Sequence, residues 1–203
     1  LFRHEPYARR RSDFNVWGLC PPSAETGVAR PSTGTHRRTP VGAAYDAFGS
    51  ERYVLTFDNR ALRDVAAWAP YEFITILANS QTYGGGGIYG TFATVAIDSD
   101  WADYLFVHEF GHHFAGLADE YYTSDVAYGS TPERPEPWEQ NAAASAAPPK
   151  WKDLVTPGTP LPTPWAKEAF EAEQKEIQAR RRKIRAEKRP EEEMEALFRE
   201  EQQ

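Results

Sequence analysis

The run His108-Glu109-Phe110-Gly111-His112-His113-Phe114-Ala115-Gly116-Leu117-Ala118-Asp119-Glu120-Tyr121 decides how this chain must fold around its chemistry. Two histidines stand four residues apart, with a glutamate directly after the first. On a helix that spacing puts both imidazoles on one face, one turn above the other, where they can grip a single cation. Zinc takes such nitrogens at about 2.0–2.1 Å, and a catalytic zinc site uses three protein ligands and leaves one position for water. His108 and His112 are therefore candidate ligands. Glu109 stands where a general base takes a proton from that water. His113 points about 100° away from His112 around the helix and is expected behind the ligands or on the surface.

The residues that follow resemble a variant of the metzincin pattern H-E-x-x-H-x-x-G-x-x-H, in which a glycine ends the helix and the chain turns back to supply a third ligand. Here Ala115 fills the expected glycine position and Gly116 comes one residue later. Counting G-x-x from Gly116 reaches Asp119, so the step from glycine to ligand is kept with a carboxylate in place of histidine. Glycine takes the left-handed conformation past a helix end without steric cost, and a carboxylate oxygen is an accepted zinc ligand. Asp119 is the expected third ligand, with Glu120 its near competitor. Tyr121 or Tyr122, just past the turn, can hydrogen-bond a developing oxyanion, although aromatic packing explains both equally well.

Composition sets limits on function. With 203 residues, 40% of them hydrophobic and 26% charged, the chain can bury a core and still present a polar surface. No apolar run approaches the eighteen or so residues of a membrane span. A net charge of −7 argues against nucleic acid as a partner. The basic cluster Arg180-Arg181-Arg182-Lys183 is flanked by acids on both sides and reads as a solvated helix face. The one cysteine, Cys20, excludes an internal disulfide and, flanked by Pro21 and Pro22, is a poor metal ligand.

Along the chain, strand and helix patterns alternate and then the texture changes. Residues 14–20 and 52–57 read as strands, with an irregular loop over 21–44. Asp58 or Asn59 can cap a helix running through Trp68, whose Leu62, Val65 and Ala66 recur at helical spacing. The apolar run 73–78 predicts a central strand buried on both faces, and 91–97 predicts a further strand. If that strand is outermost, an extended substrate can pair with it. The glycine run Gly84-Gly85-Gly86-Gly87 lacks any phosphate-loop signature and is expected to be a flexible loop facing the cleft. The metal helix should start near Asp98–Asp100, with Tyr104, Leu105, Val107 and Phe110 on its core side. Prolines and tryptophans over 129–164 suggest an extended segment pinned by Trp138, Trp151 and Trp165. Two charged helices should follow Trp165, broken at Pro190.

The run HEFGHHFAGLADEYY, with the upstream NSQTYGGGGIYG and FGSERYVLTFDNRALRD, resembles the IgA-peptidase family of bacterial zinc metallopeptidases. The stretches WEQNAAASAAPPKWKDLVTPGTPLPTPW and RPEEEMEALFREEQ are also similar to it, so the resemblance spans nearly the whole chain. It implies a metzincin-like catalytic domain with zinc on His108 and His112, Glu109 as the catalytic residue, and a secreted or periplasmic location. It does not imply IgA as the substrate. In that family the domain normally continues into a Gly- and Cys-containing segment ending near a methionine. Here the only methionine, Met194, sits among Glu191, Glu192, Glu193 and Glu195, where a solvated helix is its expected home. The chain is thus expected to be part of a longer protein.

The resulting expectation is an α+β zincin: a mixed twisted sheet packed on an active-site helix. Residues 1–128 would form the upper catalytic subdomain, with the metal motif at 108–120. A Pro-rich segment over 129–164 and charged helices over 165–203 would follow, leading toward a lower subdomain. The expected activity is zinc-dependent endopeptidase cleavage of a peptide or protein substrate. The alternative is a protein- or glycan-binding module on a peptidase fold. Retention of Glu109 speaks against that alternative, because a structural zinc site needs no base and closes its fourth position.

Overall fold

The glycine run is a strand, and its lack of side chains organises the fold. A computed structural model describes residues 1–119, 136–143, 149–161 and 163–201, in two compact units, Leu1–Leu117 and Ala118–Gln203. The first unit carries a three-stranded sheet of β1 (Thr75–Ala78), β2 (Gly85–Ile88) and β3 (Phe92–Ala96), in the order β1-β3-β2. β1 runs parallel to β3, with Leu77 opposite Val95, and β2 is antiparallel to it, with Gly86 opposite Thr94. A tight turn at Gly90, in the left-handed region at φ 65°, joins β2 to β3. The mixed sheet and four α-helices among the described residues make the α+β architecture expected of the chain.

Helix α1 (Asn59–Ala66) is capped as its sequence suggests: the Asp58 carboxylate accepts from the Ala61 N–H at 2.9 Å. It ends at Ala66, two residues short of Trp68, and buries Leu62 and Ala66. Leu62 joins Ala47, Leu55 and Phe92 in one apolar cluster, while Ala43, Tyr45, Val54 and Ala78 form another. Helix α2 (Ala102–Ala115) carries the metal motif and packs on β2 and β3. Its start is set by Ser99, whose carbonyl accepts from Ala102 N–H, and its end by Gly116 at φ 61°, the left-handed residue the sequence called for. Behind α2, Phe110 and Phe114 stack on one another, with Tyr7, Phe14 and Phe73 against them edge-on or tilted.

Several expected strands take a different form. Residues 14–20 form none and leave Val16 and Trp17 exposed. Over 52–57 only isolated bridges form, at Tyr53 to Gly85 and Leu55 to Ala44. The run 73–78 is not a central strand buried on both faces. β1 lies at one end of the sheet, and Leu77 is 55% exposed. The reason is that β3, fully buried along its length, takes the middle place. β3 thus has neighbours on both sides, and an extended substrate cannot add to it.

In the second unit, helices α3 (Lys167–Ala186) and α4 (Glu191–Glu201) pack together. Ile177, Met194, Leu197 and Phe198 are buried, and Arg180–Glu200, Arg181–Glu201 and Arg185–Glu191 pair in ion pairs. Met194 is therefore not on a solvated face. It is 0% exposed, because the acidic residues beside it in sequence point to other sides of the helix. Of the tryptophans in the Pro-rich segment, Trp151 is half-buried, while Trp138 and Trp165 are more than half exposed and Trp165 packs on Phe170. The Lys150 ammonium gathers the segment by donating to the carbonyls of Pro137, Glu139 and Ala142. No described helix is long and apolar enough to cross a membrane. Met194→Ala should lower the stability of this helix pair by about 2–4 kcal/mol, as buried methionine deletions do. Urea titration followed by far-UV circular dichroism would measure it, and a neutral result would return Met194 to the surface.

Candidate metal centre

His108, Glu109 and His112 project from consecutive turns of α2, and their ligand atoms lie within 4.8 Å of one another. The two Nε2 atoms face each other at 3.1 Å. Two nitrogens held at 2.0–2.1 Å around a tetrahedral ion stand about 3.3 Å apart, so the pair fits one zinc-sized cation. His112 is oriented from behind. Its Nδ1 lies against the Leu117 carbonyl, which can only accept, so in the neutral ring Nδ1 holds the proton and Nε2 keeps its lone pair. Two imidazole nitrogens brought together in this way are donors that a borderline-soft divalent metal ion accepts.

The glycine strand builds the wall behind this group. A Cβ on Gly85 would sit 2.6 Å from Glu109 Oε1 and 2.8 Å from the Thr94 carbonyl. On Gly87 it would press into the Glu109 carbonyl and lie 2.7 Å from His112 Cβ. Gly86 faces the opposite side, where its Cβ would meet Leu55 Cδ2 at 2.6 Å. Both faces of the strand are thus closed to side chains, as a glycine strand under a close-packed element requires. Glu109 is only 8% exposed, its stem laid along this bare surface.

His113 is fully buried and belongs to the scaffold. Its Nε2 accepts from the Ile74 N–H and its Nδ1 donates to the Ile88 carbonyl, each at 3.1 Å, so one ring ties α2 to the start of β1 and the end of β2. Burial pushes its pKa down, and the Ile88 bond opposes that only in part. The sequence placed His113 behind the ligands or at the surface, and the first of these holds.

Among the expected site residues, the structure brings together His108, Glu109 and His112. Asp119 lies in the second unit. There the neighbouring Ala118 is held by Asn141, which accepts from its N–H at 2.8 Å and donates to its carbonyl at 2.9 Å. Glu120, Tyr121 and Tyr122 lie outside the described residues. Tyr104 departs from expectation. It is 53% exposed rather than on the core side, because positions 104, 108 and 112 share one helix face.

The family model for IgA Peptidase M64 matches residues 1–203. The chain belongs to the IgA peptidase M64 family. It is a peptidase, and peptides or proteins are its substrates. The metallopeptidase character of the M64 family agrees with the His108–Glu109–His112 group on α2. No curated protein matches the chain.

Two glycine substitutions test the wall. Gly87→Ala should cost more than the about 1–3 kcal/mol of ordinary overpacking, because it meets backbone rather than a movable side-chain tip. It should also abolish metal uptake. Gly90→Ala, with nothing within 4 Å but a φ of 65°, should cost only about 1–2 kcal/mol and keep the metal. Thermal melts and metal analysis of the two variants would decide, and equal behaviour would refute the close approach.

Proposed function

We propose that this M64 peptidase is a zinc-dependent endopeptidase in which Glu109 is the general base. The observation that carries the reading is the facing pair of Nε2 atoms on His108 and His112, 3.1 Å apart, with the Glu109 carboxylate beside them. Zinc, when bound, lowers the pKa of a coordinated water toward neutrality and polarises a carbonyl oxygen. The chain's own residues do the rest. His108 and His112 bring their Nε2 atoms to one point, and His112, with Nδ1 against the Leu117 carbonyl, offers Nε2 as an acceptor. Glu109 takes a proton on its carboxylate as water attacks the scissile carbonyl carbon, and delivers it to the departing amide nitrogen. Near-complete burial against the glycine strand keeps that carboxylate from wandering, so proton transfer starts from a fixed geometry. Asp119 is proposed as third ligand on the Gly116-to-Asp119 spacing, and a tyrosine at 121 or 122 as an oxyanion donor. A secreted or periplasmic location is proposed on the family resemblance.

Purified protein should carry about one zinc per chain. Glu109→Gln should keep that zinc and lose peptide hydrolysis by at least about a thousandfold, the upper range of a lost general base combined with lost charge. Metal analysis and a peptide-library cleavage assay read the two effects separately. A variant that loses zinc, or that still cleaves, removes Glu109 from the role.

Asp119→Ala should weaken zinc binding about a hundredfold or more, and Glu120→Ala should weaken it far less. Competition against a chromogenic chelator measures both, and the reverse order would hand the third position to Glu120.

A further inference from the structure

On α2 the ring of Tyr104 lies over the ring of His108, with centroids 5.6 Å apart and planes 20° from parallel. This is the offset parallel arrangement that aromatic pairs favour. The pair is an i,i+4 contact along the same column that continues to His112. His112, by contrast, stands at right angles to His108, with centroids at 4.6 Å. The rings of this column therefore meet His108 in two ways: edge-on from the His112 side and face-on from the Tyr104 side.

The face-on contact matters for chemistry because of what it leaves free. A metal is taken in the plane of an imidazole, through the nitrogen lone pair. A ring stacked on the face restricts rotation about χ2 without touching that plane. The other centre residues have their own restraints: His112 has the Leu117 carbonyl and the Gly87 wall, and Glu109 has Gly85. For His108, at the outer end of the group, Tyr104 supplies a restraint of the same kind. A second effect couples the stack to ligation. An imidazole that gives its lone pair to a dication becomes electron-poor, and an electron-poor ring is attracted more strongly to the electron-rich face of a phenol. The stack is thus stronger with metal bound than without, and by linkage it must raise metal affinity.

We propose that Tyr104 is a positioning residue for His108, holding the imidazole plane in its ligating orientation and tightening metal binding. This rests on His108 being a ligand. Tyr104 does not itself touch the metal or the reacting bond.

The test is zinc and cobalt(II) affinity of the full chain by chelator competition, together with the cobalt d–d absorption band and the thermal melt of the metal-free protein. Tyr104→Ala and Tyr104→Leu should each weaken binding about three- to tenfold, the range a ring–ring contact supplies, and should broaden or shift the cobalt band. Tyr104→Phe, which keeps the ring, should bind within about twofold of the unaltered protein. The metal-free melts of Tyr104→Leu and Tyr104→Phe should agree, because leucine keeps the helix propensity and apolar bulk. His108→Ala is the reference and should abolish tight binding. Unaltered affinity in Tyr104→Leu, with His108→Ala abolished, overturns the positioning role. Unaltered affinity in His108→Ala overturns the ligand assignment beneath it.

Discussion

Helix α2 reaches the sheet at backbone distance because positions 85 and 87 of β2 carry no side chains, and the candidate centre inherits its geometry from that approach. Protein interiors are packed to crystal-like density, so a helix cannot be held close to a strand by attraction alone. The side chains between them must be absent. Here the Cβ that any other residue would place at Gly87 falls on the Glu109 carbonyl and the His112 Cβ. The register of β2 on β3 fixes which glycines face the helix, and the register of the helix on those glycines fixes where Glu109 and His112 project.

His113 completes that fixation with hydrogen bonds. One neutral imidazole spends both nitrogens on backbone groups, just before β1 and at the end of β2, which ties the helix to two parts of the sheet at once. An unmet N–H or C=O in that position costs about 1–3 kcal/mol each. The three histidines of the motif therefore divide their labour. Two bring their Nε2 atoms together on one face of the helix, and the third, one residue on and a hundred degrees round, anchors the helix from the inside.

Much of this was legible in residue spacing. The four-residue step from His108 to His112, the Gly116 helix stop and the Asp58 cap each rest on a local backbone rule, and each appears as the rule requires. What the sequence concealed depends on partners distant along the chain. Four glycines in a row carry the composition of a loop; only the helix on one face and Leu55 on the other turn them into a strand. The apolar run 73–78 reads as a central strand because hydrophobicity does not encode sheet order. Met194 reads as solvated because its acidic neighbours dominate the window, while its own helical face meets α3. Tyr104 is a different case. Its place four residues before His108 was visible, but an aromatic residue on an amphipathic helix is assigned to the core by habit of composition.

The glycine strand also constrains how such a peptidase can diversify. In most clefts the strand beside the reacting group is where substrate preference is rewritten, since each exchanged side chain reshapes a subsite. At Gly85 and Gly87 that route is closed, because a Cβ there already runs into backbone atoms of Thr94 and Glu109. New preferences must instead be written on segments away from this contact. The wall against Glu109 and His112 is locked by packing, so a side chain there would displace the helix before it could shape a subsite.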